Sequence, residues 1–328
     1  MEQVWLGRTG VRVSKLALGT MSFGGDADAD EAKGLYRDAR DAGVTLFDTA
    51  DVYNKGRSEE ILGGLIASER DALVLSTKAY FPTGRGPNDR GTSRYHLVRA
   101  VEASLRRLGT DRIDLFFLHR YDDQTPLEET LRGVEELVRA GKILYPAVSN
   151  FAAWQTMKAL GIARARGWAE VVAMQPMFNL VKRTAEIELF PLAASEGLAV
   201  IPYSPLAGGL LTGKYRDVDA EGRIRDNAMY KVRYGDPEHF DRAAAFAALA
   251  EEAGVSPVTL AVAWTAAHPG VSAPLLGARS RSQLKPALAA AEYTLDPKLF
   301  AAVSALTKAP PPATDRNEET SSHNFGTR

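Results

Sequence analysis

Residues 45–56 read TLFDTADVYNKG. Thr45, Leu46 and Phe47 follow the turn signal Asp41-Ala42-Gly43 and continue as a strand, which then places Asp48, Asp51 and Tyr53 within a few residues of one another. Polar residues are frequent where strands stop. An apolar strand can equally deliver such side chains into a site, and the rest of the chain has to decide between the two readings.

The same pattern recurs along the chain. Strand-like runs stand at 15–20, 44–49, 72–78, 112–119, 143–150, 171–175, 198–204 and 272–277. Each precedes apolar residues at helical spacing: 28–42, 57–69, 94–108, 127–140, 151–167, 182–196, a longer 238–268 holding two helices, and 280–291. Ser58-Glu59-Glu60 and Ser93 read as helix starts, and Gly43, Gly109, Gly141, Gly167 and Gly197 as helix stops. Strands apolar on both faces, each followed by a helix, imply a parallel sheet covered by helices. Eight such units in unbroken rhythm fit a closed (β/α)8 TIM barrel better than an open doubly wound sheet.

VWLGRTGVRVS, ahead of the first run, alternates around Arg8-Thr9-Gly10 and reads as an N-terminal β-hairpin capping the barrel bottom. Two connections are too long for simple turns: 79–93 after the third strand and 205–237 after the seventh. No linker divides the chain, so 1–308 reads as one barrel domain. The Pro-rich then polar tail, 309–328, is expected to be mobile.

Composition narrows the function. Across 328 residues, 40 Lys+Arg against 41 Asp+Glu leave a formal charge of −1, which gives no support to a nucleic-acid surface. With no cysteine, disulfides, thiolate metal sites and cysteine nucleophiles are excluded. The start is unlike a signal sequence and no apolar run approaches the ~20 residues of a membrane span, so a soluble cytoplasmic protein is expected.

A barrel gathers its C-terminal strand ends at one site. The second strand ends at Asp48 with Tyr53 beyond, the third at Lys78 and the fourth at His119. Singly, each has a bland reading as a strand-end acid, a core tyrosine, a surface lysine or a satisfied histidine. Together they make a proton-transfer set: Lys78 would lower the phenol's pKa from its ordinary value of about 10, Asp48 would hold the lysine, and His119 would orient a carbonyl oxygen. Tyr53 would be a general acid toward a carbonyl becoming an alkoxide, or a base in reverse. Asp51 reads as structural, capping the turn that presents Tyr53.

FDTADVY, LSTK, DLFFLHR, the Ser-Asn after the fifth strand, MQPMFNL and YSPLAGGLLTGKY, in this order and spacing, resemble the aldo-keto reductase superfamily from about Leu6 to Leu295. The resemblance implies a (β/α)8 barrel, NADPH or NADH without metal, and reversible reduction of aldehydes and ketones. It places the catalytic tetrad on Asp48, Tyr53, Lys78 and His119. For the nicotinamide it implies Ser149, Asn150 and Gln175 at the carboxamide, Tyr203 stacked on the ring, and Gly19, Thr20 and Met21 nearby. Ser204, Leu206, Gly208, Leu210 and Lys214 resemble the loop over the pyrophosphate, and Gly277, Arg279, Ser280 and Gln283 the adenosine end. Arg279 favours NADP(H) over NAD(H) by charge-assisted bonds to a 2′-phosphate, although Pro286 and Ala287 replace the acid and amide often found there.

The spacing around NDRGTSRYHLVRAVEASLRRLGTDRIDLFFLHR is nearest to the bacterial and fungal branch of aryl-alcohol dehydrogenase-like reductases. Phe23, Tyr80, Phe81 and Tyr121, near strand ends, are candidates for the substrate wall. Some members of the superfamily are channel-associated redox sensors, so a nicotinamide-binding regulatory subunit is the alternative. GGLLTGK (208–214) has the glycine and lysine spacing of a P-loop, but Tyr215 stands where Ser or Thr would hold Mg²⁺, and no GxGxxG occurs.

Overall fold

The computed structural model describes residues 1–216 and 220–314; the end of the tail expected to be mobile, 315–328, lies outside the described residues. Strands β1 (Gln3–Trp5) and β2 (Arg12–Ser14) pair antiparallel as the expected hairpin. Its turn is tied by the Thr9 hydroxyl, which donates to Leu6 O at 2.7 Å.

The barrel strands are β3 (Ala17–Gly19), β4 (Leu46–Asp48), β5 (Val74–Ala79), β6 (Ile113–Leu118), β7 (Ile143–Ser149), β8 (Ala173–Gln175), β9 (Ala199–Val200) and β10 (Leu275–Leu276). All pair in parallel in the order β10-β3-β4-β5-β6-β7-β8-β9. Leu275 N donates to Pro202 O at 2.8 Å and Ala273 N to Val200 O at 3.2 Å, which joins the last two strands and closes the barrel.

Around it run α1 (Ala29–Asp41), α2 (Arg57–Ile66), α3 (Arg94–Leu108), α4 (Leu127–Arg139), α5 (Ala153–Arg166) and α6 (Leu189–Glu196). Then follow the short α7 (Arg223–Asp226) and α8 (Ala228–Tyr234), α9 (Pro237–Glu252), α10 (Pro257–Ala267), α11 (Arg281–Leu288) and α12 (Pro297–Ala305). Among the described residues no single helix is long and apolar enough to cross a membrane.

Side chains two apart on a strand share a face. Inward, Ala17, Leu46, Leu115, Phe117, Ala147, Ala173, Ala199 and Ile201 fill the barrel, with Leu6 and Val13 of the hairpin packed against them. Outward, Phe47, Leu75, Phe116, Val148, Met174 and Leu276 meet the helices in the larger core.

Some local expectations are corrected. Ser58 does not cap α2; its hydroxyl donates to Thr20 O at 2.7 Å, and Gly56 precedes the helix in a left-handed conformation. The helix expected over 182–196 forms only from Leu189, because Asn179 and Lys182 close a backbone turn and Arg183 pairs with Glu186. Helices α7 and α8 occupy the connection read as a loop. Helix α12 also went unread, although Asp296 before Pro297 is a start signal and its side chain accepts from Lys298 N and Leu299 N.

Candidate active site

The inward alternation that packs the barrel continues one step further at each strand end. Ala17 gives way to Gly19, Leu46 to Asp48, Phe117 to His119, Ala147 to Ser149, Ala173 to Gln175 and Ile201 to Tyr203. Lys78 joins them from β5. The apolar filling is thus roofed by a polar layer drawn from six strands, with Gly19 at the end of a seventh.

Asp48 is fully buried and fully partnered. It accepts from the Lys78 ammonium, from Ser76 Oγ at 2.6 Å and from Gln175 Nε2 at 3.1 Å. Lys78 Nζ also donates to Thr49 O at 2.7 Å and lies 5.2 Å from the Tyr53 ring centre. The His119 ring meets Tyr53 edge-on at 5.9 Å and Phe81 edge-on at 4.9 Å. All four tetrad candidates therefore meet at one end of the barrel.

Tyr53 is aimed by strained backbone. Asn54 (φ 47°), Lys55 (φ 57°) and Gly56 (φ 88°) are left-handed in succession, a conformation costly for the first two. Asn54 holds the turn: its Nδ2 donates to Met21 O at 2.9 Å and Phe23 O at 2.8 Å, tying the end of β3 to the tyrosine. Sequence reasoning missed Asn54; the Asn-Lys-Gly turn composition was its only signal.

Burial sets the protonation states. The Lys78 pKa is pushed down by desolvation, with Asp48 pulling the other way. His119 is held well below its ordinary range by burial and by the Lys78 charge, so the imidazole is neutral at neutral pH. The expectation that Lys78 lowers the Tyr53 pKa is overturned: desolvation and then the Asp48 charge raise it, and the phenol holds its proton. The alignment suits a donor more than a ready base. Asp51 is also reassigned. Both its oxygens are buried without a well-formed hydrogen bond, and the adjacent Val52 N–H is the only donor that pulls on them, so it does not cap the turn to Tyr53.

The cofactor candidates form a connected set beside the tetrad. Ser149 Oγ donates to Gln175 O at 2.9 Å, and Asn150, at φ 56°, donates from Nδ2 to His119 O and Ser149 Oγ, both at 3.0 Å. Tyr203 OH donates to Asn150 Oδ1 at 2.8 Å. Ser149 and Asn150 do not cap α5, where Gln155 instead accepts from Ala152 N at 2.8 Å. Thr20 is fully buried and donates to Asp48 O at 3.1 Å, while Met21 is exposed beyond it.

After Tyr203 the chain turns through left-handed Ser204 (φ 61°), Ala207 (φ 49°), Gly208 (φ 67°) and Gly209 (φ 96°). Such a run curls backbone amides toward one side, which suits a diphosphate, and with the Ser149–Asn150–Gln175–Tyr203 set it fits a nicotinamide dinucleotide. Leu206 O accepts from Gly209 N at 2.9 Å; Leu210 packs its side chain in the core, so only its backbone can serve such a ligand. Lys214 Nζ donates to Glu221 O at 3.1 Å.

At the adenosine end, Gly277 follows β10. Ser280 accepts from Gln283 N at 3.4 Å at the start of α11, and Gln283 Oε1 accepts from Arg279 N at 3.1 Å. Both of these side chains shape the turn. Arg281 is committed to Asp38 through two 2.7 Å bonds, whereas Arg279 makes no ion pair among the described residues.

Of the substrate-wall candidates, Phe23 is a correction: it is fully buried in the main core, facing no opening. Phe81 packs edge-on against His119, and Tyr80 edge-on against Phe81 at 5.2 Å. Tyr121 meets Phe151 at 5.3 Å and the exposed Trp154 at 5.8 Å, two aromatics without a signal in the sequence pattern. Another missed residue is Tyr230 of α8. Its ring lies under Arg223 (5.7 Å) and Arg233 (5.8 Å), and its phenol bears electrostatically on Tyr53 and Tyr203.

A model of the aldo/keto reductase family matches residues 15–308, so the chain belongs to that family. It is 40% identical over 311 residues to "Uncharacterized oxidoreductase YrpG" of Bacillus subtilis, covering 92% of this chain and 94% of that one. It is 36% identical to "Probable voltage-gated potassium channel subunit beta" of Oryza sativa (94% of this chain, 98% of that one). A third relative, "Versiconal hemiacetal acetate reductase" of Aspergillus parasiticus, is 32% identical (91% and 94%).

Proposed function

We propose that this protein is an NADP(H)-dependent reductase that converts aldehydes or ketones to alcohols, reversibly, with Tyr53 as proton donor. The observation that carries the reading is the half-buried phenol of Tyr53 set against the buried Lys78–Asp48 pair and the neutral imidazole of His119. A nicotinamide dinucleotide, when bound, supplies or accepts the hydride. Everything else in the reaction falls to the chain's own residues.

His119 and Tyr53 bind the carbonyl oxygen. As negative charge develops there, the Tyr53 phenol transfers its proton to the oxygen, and Lys78, fixed by Asp48, stabilises the phenolate left behind. The raised phenol pKa favours the reducing direction near neutrality. Ser149, Asn150, Gln175 and Tyr203 would hold the nicotinamide end, and the left-handed turn at 207–209 the diphosphate. Arg279, without an ion pair among the described residues while Arg281 is spent on Asp38, is the guanidinium at this end left for a 2′-phosphate and supports NADP(H) over NAD(H). The aromatic rim of Tyr80, Phe81, Tyr121 and Trp154 suits a bulky or aromatic carbonyl.

The test is consumption of NADPH with 4-nitrobenzaldehyde and a panel of other carbonyls. Turnover supports the reading. Tight NADPH binding without turnover on any of them would favour a nicotinamide-binding regulatory subunit instead, the reading to which the channel-subunit relative lends weight.

A further inference from the structure

A cavity of about 340 Å³ lies against α3, lined among others by Asp51, Thr83, Asp89, His96, Arg99 and Arg107. None of the four tetrad residues lines it. Asp51 is the link between the two places. It follows β4 three residues after Asp48 and two before Tyr53, and its N–H donates to Lys78 O at 3.1 Å.

Its side chain is anomalous. Asp51 is 2% exposed, and among the described residues its carboxyl oxygens make no well-formed hydrogen bond; the adjacent Val52 N–H is the only donor that pulls on them. A carboxylate buried this deeply with so little hydrogen bonding is costly, because the charge loses its water and gains less in return. The cation that pulls on it most is already engaged: Arg107 binds Glu59, at 2.6 Å from Nη2 and 2.7 Å from Nε, while Thr77 Oγ1 donates to the other Glu59 oxygen at 2.6 Å. His96, 3% exposed, lines the same cavity and has a buried Nε2 with no protein partner. A space of this size with several charged side chains on its wall accommodates water molecules, and Arg99 there has a side chain 54% exposed, so the cavity reaches the surface.

We propose that Asp51 is a positioning residue of the catalytic centre: by exchanging its proton with solvent through the cavity against α3, its carboxyl sets the charge felt by Lys78 and Tyr53. The proton leaves the carboxyl oxygen for cavity water and returns the same way. The effect on turnover rests on the reductase reading; the exchange itself does not.

The surroundings agree. Around Asp51 stand Tyr53 on its own segment, Glu59 from α2 and Lys78 from β5, and it shares the cavity wall with His96, Arg99, Glu102, Arg106 and Arg107 from α3 and Asp89 in the loop before α3. Desolvation first, and the Glu59 charge second, push its pKa up to about 8 against the opposing pull of Arg107, the Val52 N–H and Lys78. Above that pH it adds a negative charge beside Lys78 and Tyr53. That charge favours the ammonium and opposes the phenolate, so it delays Tyr53 ionisation to higher pH.

Asp51→Asn, which cannot acquire the charge, tests this in three ways on the full chain. The basic limb of the pH profile of kcat/KM for carbonyl reduction should move to lower pH by about half a unit or more, and Asp51→Glu should restore it. The infrared signature of a protonated carboxylic acid present in the wild type at neutral pH should be missing from Asp51→Asn. Because the folded state keeps a proton that the unfolded state loses, wild-type Tm should fall from pH 4 to 8 relative to that of Asp51→Asn. Superimposable pH profiles would overturn the positioning role. An ionised Asp51 at neutral pH by infrared, with parallel Tm curves, would overturn the proposal whether or not the protein turns over carbonyls.

Discussion

The two ends of the barrel are closed by opposite means. At the N-terminal end, fully buried Leu6 and Val13 from the hairpin seal the interior, and the polar groups there are matched in pairs. Arg70 and Asp114 form a 2.8 Å ion pair, Asp114 also accepts from Leu75 N at 2.7 Å, and Ser14 and Thr45 exchange two 2.9 Å bonds. At the C-terminal end the polar layer is equally buried but incompletely matched: among the described residues His119 Nδ1 has no protein partner, and the Asp51 oxygens make no well-formed hydrogen bond. Unmatched buried polar groups cost stability and persist where something else uses them. One end therefore serves stability and the other chemistry, a contrast that single substitutions can break.

The largest effect expected is at Tyr53. Tyr53→Phe removes the proton donor while keeping the ring between Lys78 and His119, so kcat for carbonyl reduction should fall by about 10²–10⁴ while NADPH affinity by fluorescence titration stays within a few-fold. Survival of activity would mean another group delivers the proton. Lys78→Met should cost both activity and stability, because it strands the buried Asp48 carboxylate. Losing one partner of a buried pair costs roughly 3–5 kcal/mol, and here the lower end is expected since Ser76 and Gln175 still donate to Asp48. Chemical denaturation measures it.

Leu6→Ala is the counterpart at the other end. It empties volume beneath the inner core and should cost about 2–5 kcal/mol of stability while leaving kcat per folded molecule unchanged. A drop in kcat would show that the two ends are coupled, and the division of labour would fail.

That division is legible from sequence because it rides on one regular pattern. Period-two alternation makes Leu46 and Asp48, or Phe117 and His119, same-face neighbours, and the parallel rhythm puts those ends together. What the pattern does not encode went unread. Asn54 acts through three successive left-handed residues, and Tyr230 reaches the site from a short helix inside a long connection, so neither has a periodic signature. Phe23 was misplaced because nearness to a strand end says nothing of whether the chain turns a ring outward or into the core. The Tyr53 pKa differs in sign from the expectation since a list of neighbours contains the Lys78 charge but not the burial that raises the phenol, with Asp48 adding to it.

A smaller effect is expected at the adenosine end. Arg279→Ala should raise KM for NADPH by roughly ten- to a hundredfold, the worth of charged hydrogen bonds of about 1.5–3 kcal/mol, and leave KM for NADH nearly unchanged. Equal losses for both cofactors would point to a damaged turn before α11 and remove the support for NADP(H).

The smallest effect is an absence that only the chemical end of the barrel explains. An ordinary histidine titrates near 6.5, and a reductase depending on one would show an acid limb there. His119 is desolvated and faces the Lys78 charge, so its pKa lies well below that range. The pH profile of kcat/KM for carbonyl reduction should be flat between pH 6 and 7. Linkage gives the matching thermodynamic sign: the unfolded chain takes up a proton on this histidine as pH falls through about 6.5 while the folded chain does not, so the stability it contributes is present above that pH and is lost below it. His119→Gln should flatten that part of the wild-type Tm-versus-pH curve. An acid limb near 6.5 that disappears in His119→Gln would show the imidazole charged and solvated, and the C-terminal end of the barrel open to water rather than dry.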